Sequence, residues 1–308
     1  MALLKGGQSM KRFAVLIMAL MVLGGMMGMV SAHTVTVDGD PSDWTASTWN
    51  QNINTAQLYQ DVGEWVWKDA AEDERTVFAN PDKRVDILEF RITADDTYLY
   101  FMIRFNDLDV VGEEGAPGIM ITIDTDQGQD SGEVWFGYLS DTKVASDGNA
   151  NWEYQILVDL ANSQVQDGQP VYGDGVPVWN GGSPLDVIQV QNNEWVDIST
   201  SDDEFVASTT NDVVEIRVKK SELGDPSTIR VELGVVRENG SANALDPDGG
   251  SGSDVLDAMT DATSTEDEVS DGAIDYYEDI NISSVPFFSN AAVILAIILG
   301  VVVLFRKH

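Results

Sequence analysis

The sequence predicts an all-β fold, an antiparallel β-sandwich of about ten strands between an N-terminal signal peptide and a C-terminal transmembrane helix. Three observations lead to this prediction. Apolar and polar side chains alternate with period two through most of the chain. Turn-rich connections separate the alternating segments. No long apolar pattern of period 3.6 appears outside two apolar runs near the ends of the chain.

The clearest pair of strands is a hairpin predicted at 85–105. In its first strand, Leu88, Phe90 and Ile92 share one face, and residues 94–97 form the turn. The second strand aligns Leu99, Phe101, Ile103 and Phe105 on one face. Similar alternation predicts strands at 119–123, 154–160, 214–218 and 229–235, and weaker strands at 34–37, 134–138, 187–191 and 195–198.

The first 32 residues are typical of a signal peptide. Three basic residues begin the segment, and an apolar stretch follows at 13–30. Small residues then end the segment at Ala32, where we expect cleavage. An uncleaved membrane helix is the alternative interpretation of residues 1–32.

A second apolar run, at 287–305, predicts a transmembrane helix within 285–305. At about 1.5 Å per residue, a helix of this length roughly spans a bilayer. The basic tail, residues 306–308, is expected in the cytoplasm by the positive-inside rule. The predicted localisation is therefore the extracellular face of the cell membrane, with a single pass, the N-terminus outside and the C-terminus inside.

The charge of the chain excludes several classes of function. The formal net charge is −35, from 52 acidic and 17 basic side chains, which argues against a nucleic-acid partner because phosphates require lysine and arginine. The absence of cysteine excludes disulfides, thiolate metal sites and a cysteine nucleophile. The two histidines lie near the ends of the mature chain, at positions 33 and 308. A Ser-His-Asp triad or a multi-histidine metal site inside the domain is therefore excluded.

The exterior domain is expected to span 33–283, and its acidic final segment, 239–283, allows two interpretations. The segment carries acidic residues and no basic one, which is typical of a disordered stalk. However, four apolar side chains share strand parity there: Ile274, Tyr276, Ile280 and Ile282. We favour a final loop and strand that belong to the sandwich.

Two groups of acidic residues are candidate Ca²⁺ ligands, since Ca²⁺ prefers hard oxygen donors. The first is Asp124, Asp126 and Asp130, in a D-x-D-x-G-x-D loop directly after a predicted strand. Such a loop can direct several oxygens at one cation, although its spacing departs from that of an EF-hand. A solvated acidic turn is the alternative. The second, weaker group is Asp69, Asp73 and Asp86.

Several motifs resemble known carbohydrate-binding sandwiches. The segment VDGDPSDW at 37–44 resembles the opening of DOMON-like domains, which include family 9 carbohydrate-binding modules. The segments EWVWKD at 64–69, EDER at 72–75 and VDILEF at 85–90 resemble the glucodextranase C-terminal type of module. Such modules occur on archaeal amylopullulanases and on surface proteins. The resemblance covers 33–283 and implies a non-catalytic domain that binds sugars or a cell surface.

Tryptophans provide the independent argument for sugar binding. An exposed indole can stack on the apolar face of a pyranose, while amides and carboxylates bind its hydroxyl groups. Trp179 lies in a Gly- and Asn-containing loop, and Trp195 follows the amide-rich segment 191–194, so these two are the candidate sugar-binding residues. The alternative is that the tryptophans fill the core. This alternative is favoured for Trp44 and Trp152.

The leading functional prediction is a membrane-anchored, extracellular, non-catalytic module, with Ca²⁺ as its ion. Its expected partner is an α-glucan or cell-surface polysaccharide, and its C-terminal helix would hold it in the membrane. A structural S-layer-associated or filament protein is the alternative. A glycosidase ranks third, because it needs only two suitably spaced carboxylates but nothing in the sequence marks such a pair.

Overall fold

The computed structural model describes residues 34–46, 53–127, 131–137, 140–161, 171–172 (backbone alone), 184–238, 244–245 and 253–282. Within these ranges the chain forms strands, a few 3₁₀ turns and one short α-helix, α1 (Thr265–Glu268). In chain order the strands are β1 (Gln57–Asp61), β2 (Glu64–Lys68), β3 (Ile87–Ala94), β4 (Tyr98–Phe105), β5 (Pro117–Asp124), β6 (Tyr154–Asp159), β7 (Val171–Tyr172), β8 (Leu185–Gln191), β9 (Glu194–Asp197), β10 (Glu204–Ser208), β11 (Val213–Lys219), β12 (Thr228–Arg237), β13 (Asp257–Ala258) and β14 (Glu278–Asn281).

The strands form two seven-stranded sheets. Sheet A has the order β1-β2-β3-β4-β11-β10-β7. Sheet B has the order β13-β12-β5-β6-β8-β9, and β14 also pairs with β12. Neighbouring strands in both sheets are antiparallel. The prediction of an all-β fold with antiparallel sheets is therefore confirmed.

The main hydrophobic core lies between the two sheets. The predicted hairpin is present as β3 and β4, and Phe90 stacks on Phe101 with ring centroids 5.8 Å apart. Sheet B faces them with Ile121, Ile156 and Leu233, all fully buried. The period-two pattern thus identifies the inner faces, where burial of apolar surface stabilises the fold by roughly 25 cal/mol per Å². Leu88 is the exception, because a bulge between Ile87 and Glu89 places Ile87 in the main core instead.

The outer face of sheet A is covered by residues 34–46. Val35 and Trp44 pack there in a second apolar cluster with Tyr100 and Met102. The strand predicted at 34–37 is wrong. The amide of Thr36 donates to the side chain of Asp43 instead of to a neighbouring strand, so this segment is extended without joining a sheet.

The outer face of sheet B is covered by residues 131–137, 140–152 and 253–274. Their apolar side chains include Phe136, Trp152 and Ile274, which form a third buried cluster with strand residues of sheet B. The strand predicted at 134–138 is also wrong. The described residues 131–137 form only isolated β-bridges, Glu133 with Trp152 and Trp135 with Lys143. They lie over the outer face of the sheet instead of pairing within it.

The final acidic segment contributes a strand to sheet B. Strand β14 pairs with β12, and Ile280 and Ile282 are buried in the main core. None of the helices in the described ranges has the length and apolar character needed to cross a membrane. The predicted signal peptide at 1–32, the transmembrane helix at 285–305 and the tail at 306–308 lie outside the described residues.

Candidate functional site

Four aspartates form a buried acidic cluster at one end of the sandwich. Asp69 directly follows β2, Asp86 directly precedes β3, and Asp73 lies in the connection between these strands. Asp257, the first residue of β13, joins them from a distant part of the chain. Side-chain oxygens of Asp69, Asp73 and Asp257 lie within 4.8 Å of one another. Two of the three aspartates predicted from sequence, Asp69 and Asp73, are therefore brought together with Asp257. The third, Asp86, adjoins them, since its side chain accepts from the amide of Glu72 at 3.0 Å.

Burial of this acidic cluster is nearly complete. Asp69, Asp86 and Asp257 have no exposed surface, and Asp73 is 7% exposed. Oδ1 of Asp257 accepts hydrogen bonds from the amide of Ala258 at 3.0 Å and the hydroxyl of Thr265 at 2.6 Å. Its Oδ2 accepts one from the amide of Ile87. Asp257 therefore holds the cluster in place as well as contributing charge.

Four other oxygens of the acidic cluster lack hydrogen-bond partners among the residues that the structure describes. They are both side-chain oxygens of Asp73, Oδ2 of Asp69 and Oδ1 of Asp86. The remaining oxygens are used: Asp69 accepts from the amide of Ala70, and Asp86 accepts from Glu72 and Asn106. A buried carboxylate oxygen without a partner costs about 1–3 kcal/mol or more. This arrangement therefore needs a compensating group.

The electrostatics of the acidic cluster are consistent with its burial. Burial first, and then the charge of Asp73, raise the pKa of Asp69 well above its ordinary value. Burial and the neighbouring carboxylates also raise the pKa of Asp257. Burial is again the first cause for Asp73 and Asp86, whose pKa values rise to about 7. Burial and the repulsion between carboxylates thus oppose ionisation of these groups.

The predicted acidic loop also brings carboxylates together. Asp124 and Asp126 each have a side-chain oxygen within 4.8 Å of one from Glu153. Oδ1 of Asp124 accepts hydrogen bonds from the amides of Asp126 and Gln127, which is the pattern of a tight acidic turn. Burial, followed by an opposing turn hydrogen bond and the charge of Glu153, gives Asp124 a pKa of about 6. The third predicted ligand, Asp130, lies outside the described residues.

The candidate sugar-binding residue Trp195 lies on the outer side of sheet B, next to another tryptophan. Its ring is partly buried against Trp152, with centroids 5.6 Å apart, and its indole N–H donates to Glu133 at 2.9 Å. Trp135 contacts the same buried residue, since its carbonyl accepts from the indole of Trp152 at 2.7 Å. The other candidate, Trp179, lies outside the described residues.

Trp135 is the most exposed of the described tryptophans, at 40%. The ammonium group of Lys143 lies 5.1 Å from the centre of its ring, in a cation–π contact. We define the aromatic patch as Glu133, Trp135, Lys143 and Trp195. Sequence analysis missed Trp135 because the alternation at 134–138 indicated a strand instead of a cover segment.

The amide-rich segment before Trp195 has a structural explanation. Asn192 and Asn193 form the two-residue turn of the β8–β9 hairpin and have φ values of 54° and 62°. Asparagine is favoured at both central positions of such a turn, where φ is positive. The two amides are therefore required by the hairpin, although their side chains are exposed near the aromatic patch.

Asp257 and Glu153 are the acidic residues that sequence analysis missed. Glu153 directly precedes β6, and its two oxygens accept hydrogen bonds from Thr125 and Ser131 of the acidic loop. Asp257 follows Val255 and Leu256, and this apolar pair in an acidic segment was the available signal that the region is buried. No protein-family model, curated protein or solved structure matches the chain.

Proposed function

We propose that the chain is a non-catalytic module that binds polysaccharide on the outside of the cell membrane. The observation that carries the proposal is the exposed indole of Trp135, at 40%, together with the partly buried indole of Trp195, whose N–H donates to the carboxylate of Glu133. Stacking on an indole suits the apolar face of a sugar ring, and a carboxylate can accept its hydroxyl hydrogens. The proposed membrane attachment rests on the apolar run at 287–305.

The ring of Trp195 in the aromatic patch is held in a fixed position, which favours binding. Trp195 is held by its hydrogen bond to Glu133 and by the ring of Trp152, and Trp152 is itself fully buried. An aromatic side chain that is already ordered loses little conformational entropy when a ligand stacks on it. We assign the exposed indole of Trp135 as the main stacking surface, because it is the more accessible ring, and the ordered ring of Trp195 as a second contact.

We propose no catalytic step because the strongest group of perturbed carboxylates is closed to substrate. A general acid or base must come within hydrogen-bond distance of the proton that it transfers. Asp69, Asp86 and Asp257 are fully buried and therefore cannot reach a bound polysaccharide in this conformation. This argument favours a binding module over a glycosidase.

The test is to measure binding and stability together. A glycan array with the purified chain should identify the sugar, with α-glucans as the first candidates. Trp135→Ala should then weaken binding tenfold or more and change the melting temperature little, since this ring is exposed. Trp195→Ala should weaken binding and also lower stability, because part of its ring packs in the apolar cluster.

Phe78→Ala is a suitable control for the binding test. Phe78 is 37% exposed, and its ring contacts Arg237 instead of the aromatic patch. The substitution should leave sugar affinity unchanged. Equal affinity of the wild type and Trp135→Ala would reject the patch as the binding site. Absence of any glycan binding by the wild type would reject polysaccharide as the ligand.

A structural surface protein is the second candidate, and the sheet edges favour it. Strands β1 and β9 end their respective sheets, and edge strands offer backbone groups to another chain. Charged residues such as Asp61 and Glu194 on these strands oppose unregulated pairing. Concentration-dependent assembly in sedimentation, together with no binding on the glycan array, would favour this candidate.

A further inference from the structure

We propose that the acidic cluster of Asp69, Asp73, Asp86 and Asp257 binds one divalent cation, and that the cation is Ca²⁺. This inference is independent of polysaccharide binding. It rests on the convergence of three buried carboxylates, with Asp86 adjoining them, and on the oxygens among these four that have no hydrogen-bond partner in the described part of the chain.

The distances within the acidic cluster fit a single ion. Ca²⁺ binds oxygen at 2.3–2.6 Å, so oxygens on opposite sides of one ion lie roughly 5 Å apart or less. Asp69, Asp73 and Asp257 offer oxygens that all lie within 4.8 Å of one another. Asp86 adjoins this group, because the amide of Glu72, the residue before Asp73, donates to its Oδ2 at 3.0 Å. The amide of Ile87, the residue after Asp86, donates to Asp257.

Asp73 provides the independent indication of a ligand. The residue is 7% exposed, both of its carboxyl oxygens are buried, and neither has a hydrogen-bond partner within the described ranges. Protonation would neutralise this group but would leave at least one of its oxygens without a partner. A cation satisfies both oxygens and removes the repulsion among the four carboxylates.

The ligand chemistry favours Ca²⁺ over other divalent ions. All donors are hard oxygens, whereas transition metals in proteins favour imidazole or thiolate ligands. Mg²⁺ requires near-octahedral geometry at 2.0–2.1 Å and retains several waters. A closed site with several carboxylates suits Ca²⁺ better, because its coordination is larger and more adaptable.

The position of Asp257 gives the ion a structural role. Asp69 and Asp86 belong to the ends of β2 and β3, whereas Asp257 begins β13 in the final acidic segment. The same two regions are joined by the bond from the amide of Thr265 to the carbonyl of Asp73, at 3.0 Å. A bound cation therefore stabilises the attachment of the final segment to sheet A.

The test compares melting temperatures of the purified full chain in chelator and in CaCl₂. Ca²⁺ should raise the melting temperature of the wild type, since an ion that binds only the folded state stabilises it. MgCl₂ at the same concentration should have a smaller effect. Titration calorimetry should show loss of one Ca²⁺ site in Asp73→Asn, which keeps the shape of the side chain and removes its charge.

The order of the melting temperatures of Asp73→Asn and the wild type should reverse between chelator and CaCl₂. In chelator the variant should melt at the same temperature or higher, because it removes one repulsive carboxylate. In CaCl₂ it should melt lower, because it loses a ligand. A purely structural role for Asp73 would not produce this reversal.

Asp126→Asn controls for the acidic loop. Asp126 is exposed and belongs to the other group of carboxylates, so this variant should keep the wild-type response to Ca²⁺ at the acidic cluster. If the wild type melts at the same temperature in chelator and in CaCl₂, or if Asp73→Asn responds to Ca²⁺ as the wild type does, the proposal is overturned.

Discussion

At the scale of single residues, Arg91 is placed between two fully buried glutamates on the outer face of sheet A. Its guanidinium group is 2.8 Å from Glu64 and 2.5 Å from Glu89. Glu64 also accepts hydrogen bonds from the amides of Thr45 and Ala46, which belong to the covering segment. Arg91 therefore neutralises the carboxylate that attaches residues 34–46 to the sheet.

We predict that Arg91→Met destabilises the fold by about 3–5 kcal/mol, because it leaves two buried carboxylates without a compensating charge. Denaturant unfolding of the purified chain would measure this loss. Lys219→Met is the matched control, since the pair of Lys219 with Asp202 is much more exposed. It should change stability much less, because water screens an exposed ion pair. Similar small effects of both substitutions would contradict the argument.

At the scale of elements, the sequence predicted those strands whose inner face alternates clearly. The β3–β4 hairpin is the best example, since its core positions from Phe90 to Phe105 are large and apolar except at Ala94. The β1–β2 hairpin was missed because Trp65, Trp67 and Val66 give β2 no alternation between polar and apolar residues. β2 is largely buried on both faces, and a strand covered on both faces has no polar side to mark it.

The same reasoning explains how much of the acidic cluster was predictable. Asp69, Asp73 and Asp86 are close in sequence and lie at the ends of two paired strands, so their proximity could be predicted. Asp257 reaches them only because β13 pairs with β12, on the other sheet. Tertiary contacts of this kind leave no local pattern, so the fourth aspartate could not be identified from sequence.

Glu222 and Asp203, in two connections of sheet A, form a pair of carboxyl groups whose protonation should change with pH. Glu222 lies in the 3₁₀ turn Lys220–Leu223 after β11, and Asp203 directly precedes β10. Burial, followed by the hydrogen bond and the charge of Asp203, raises the pKa of Glu222 from 4.5 to about 7. The hydroxyl of Thr200 donates to Glu222 at 2.8 Å.

We predict that Glu222→Gln reduces the loss of stability between pH 5 and pH 8. The folded state holds the Glu222 proton more tightly than the unfolded state does. Its contribution is therefore complete below pH 4.5 and is lost as the pH rises through about 7. Glutamine keeps an acceptor for Thr200 but does not titrate. The difference should be on the order of 1 kcal/mol, since Glu222 is only partly buried.

Melting temperatures of the wild type and Glu222→Gln across this pH range would check the prediction. Carboxyl groups that do not contact Glu222, such as Glu215, are present in both proteins and cancel in the comparison. Asp203 shares a hydrogen bond with Glu222, so the measured difference belongs to this pair. Parallel pH profiles for the two proteins would show that Glu222 does not hold the proton.

At the scale of the whole molecule, the sandwich is covered on both outer faces. Residues 34–46 cover sheet A, and residues 131–137, 140–152 and 253–274 cover sheet B. Polar groups on the outer faces, including Glu89 and Gln155, are consequently buried and hydrogen-bonded. The chain thus combines an extensive interior with a formal net charge of −35.

This net charge predicts that salt stabilises the folded protein. Repulsion among the excess carboxylates opposes the compact state, and salt screens it, as the Debye length falls from about 10 Å at 0.1 M to about 3 Å at 1 M. In chelator, the melting temperature of the wild type should therefore rise between 0.1 M and 1 M NaCl. Asp73→Asn removes only one of 52 acidic side chains, so its salt dependence should match that of the wild type while its response to Ca²⁺ is lost. A melting temperature that stays constant or falls as NaCl increases would show that repulsion at the surface does not limit stability.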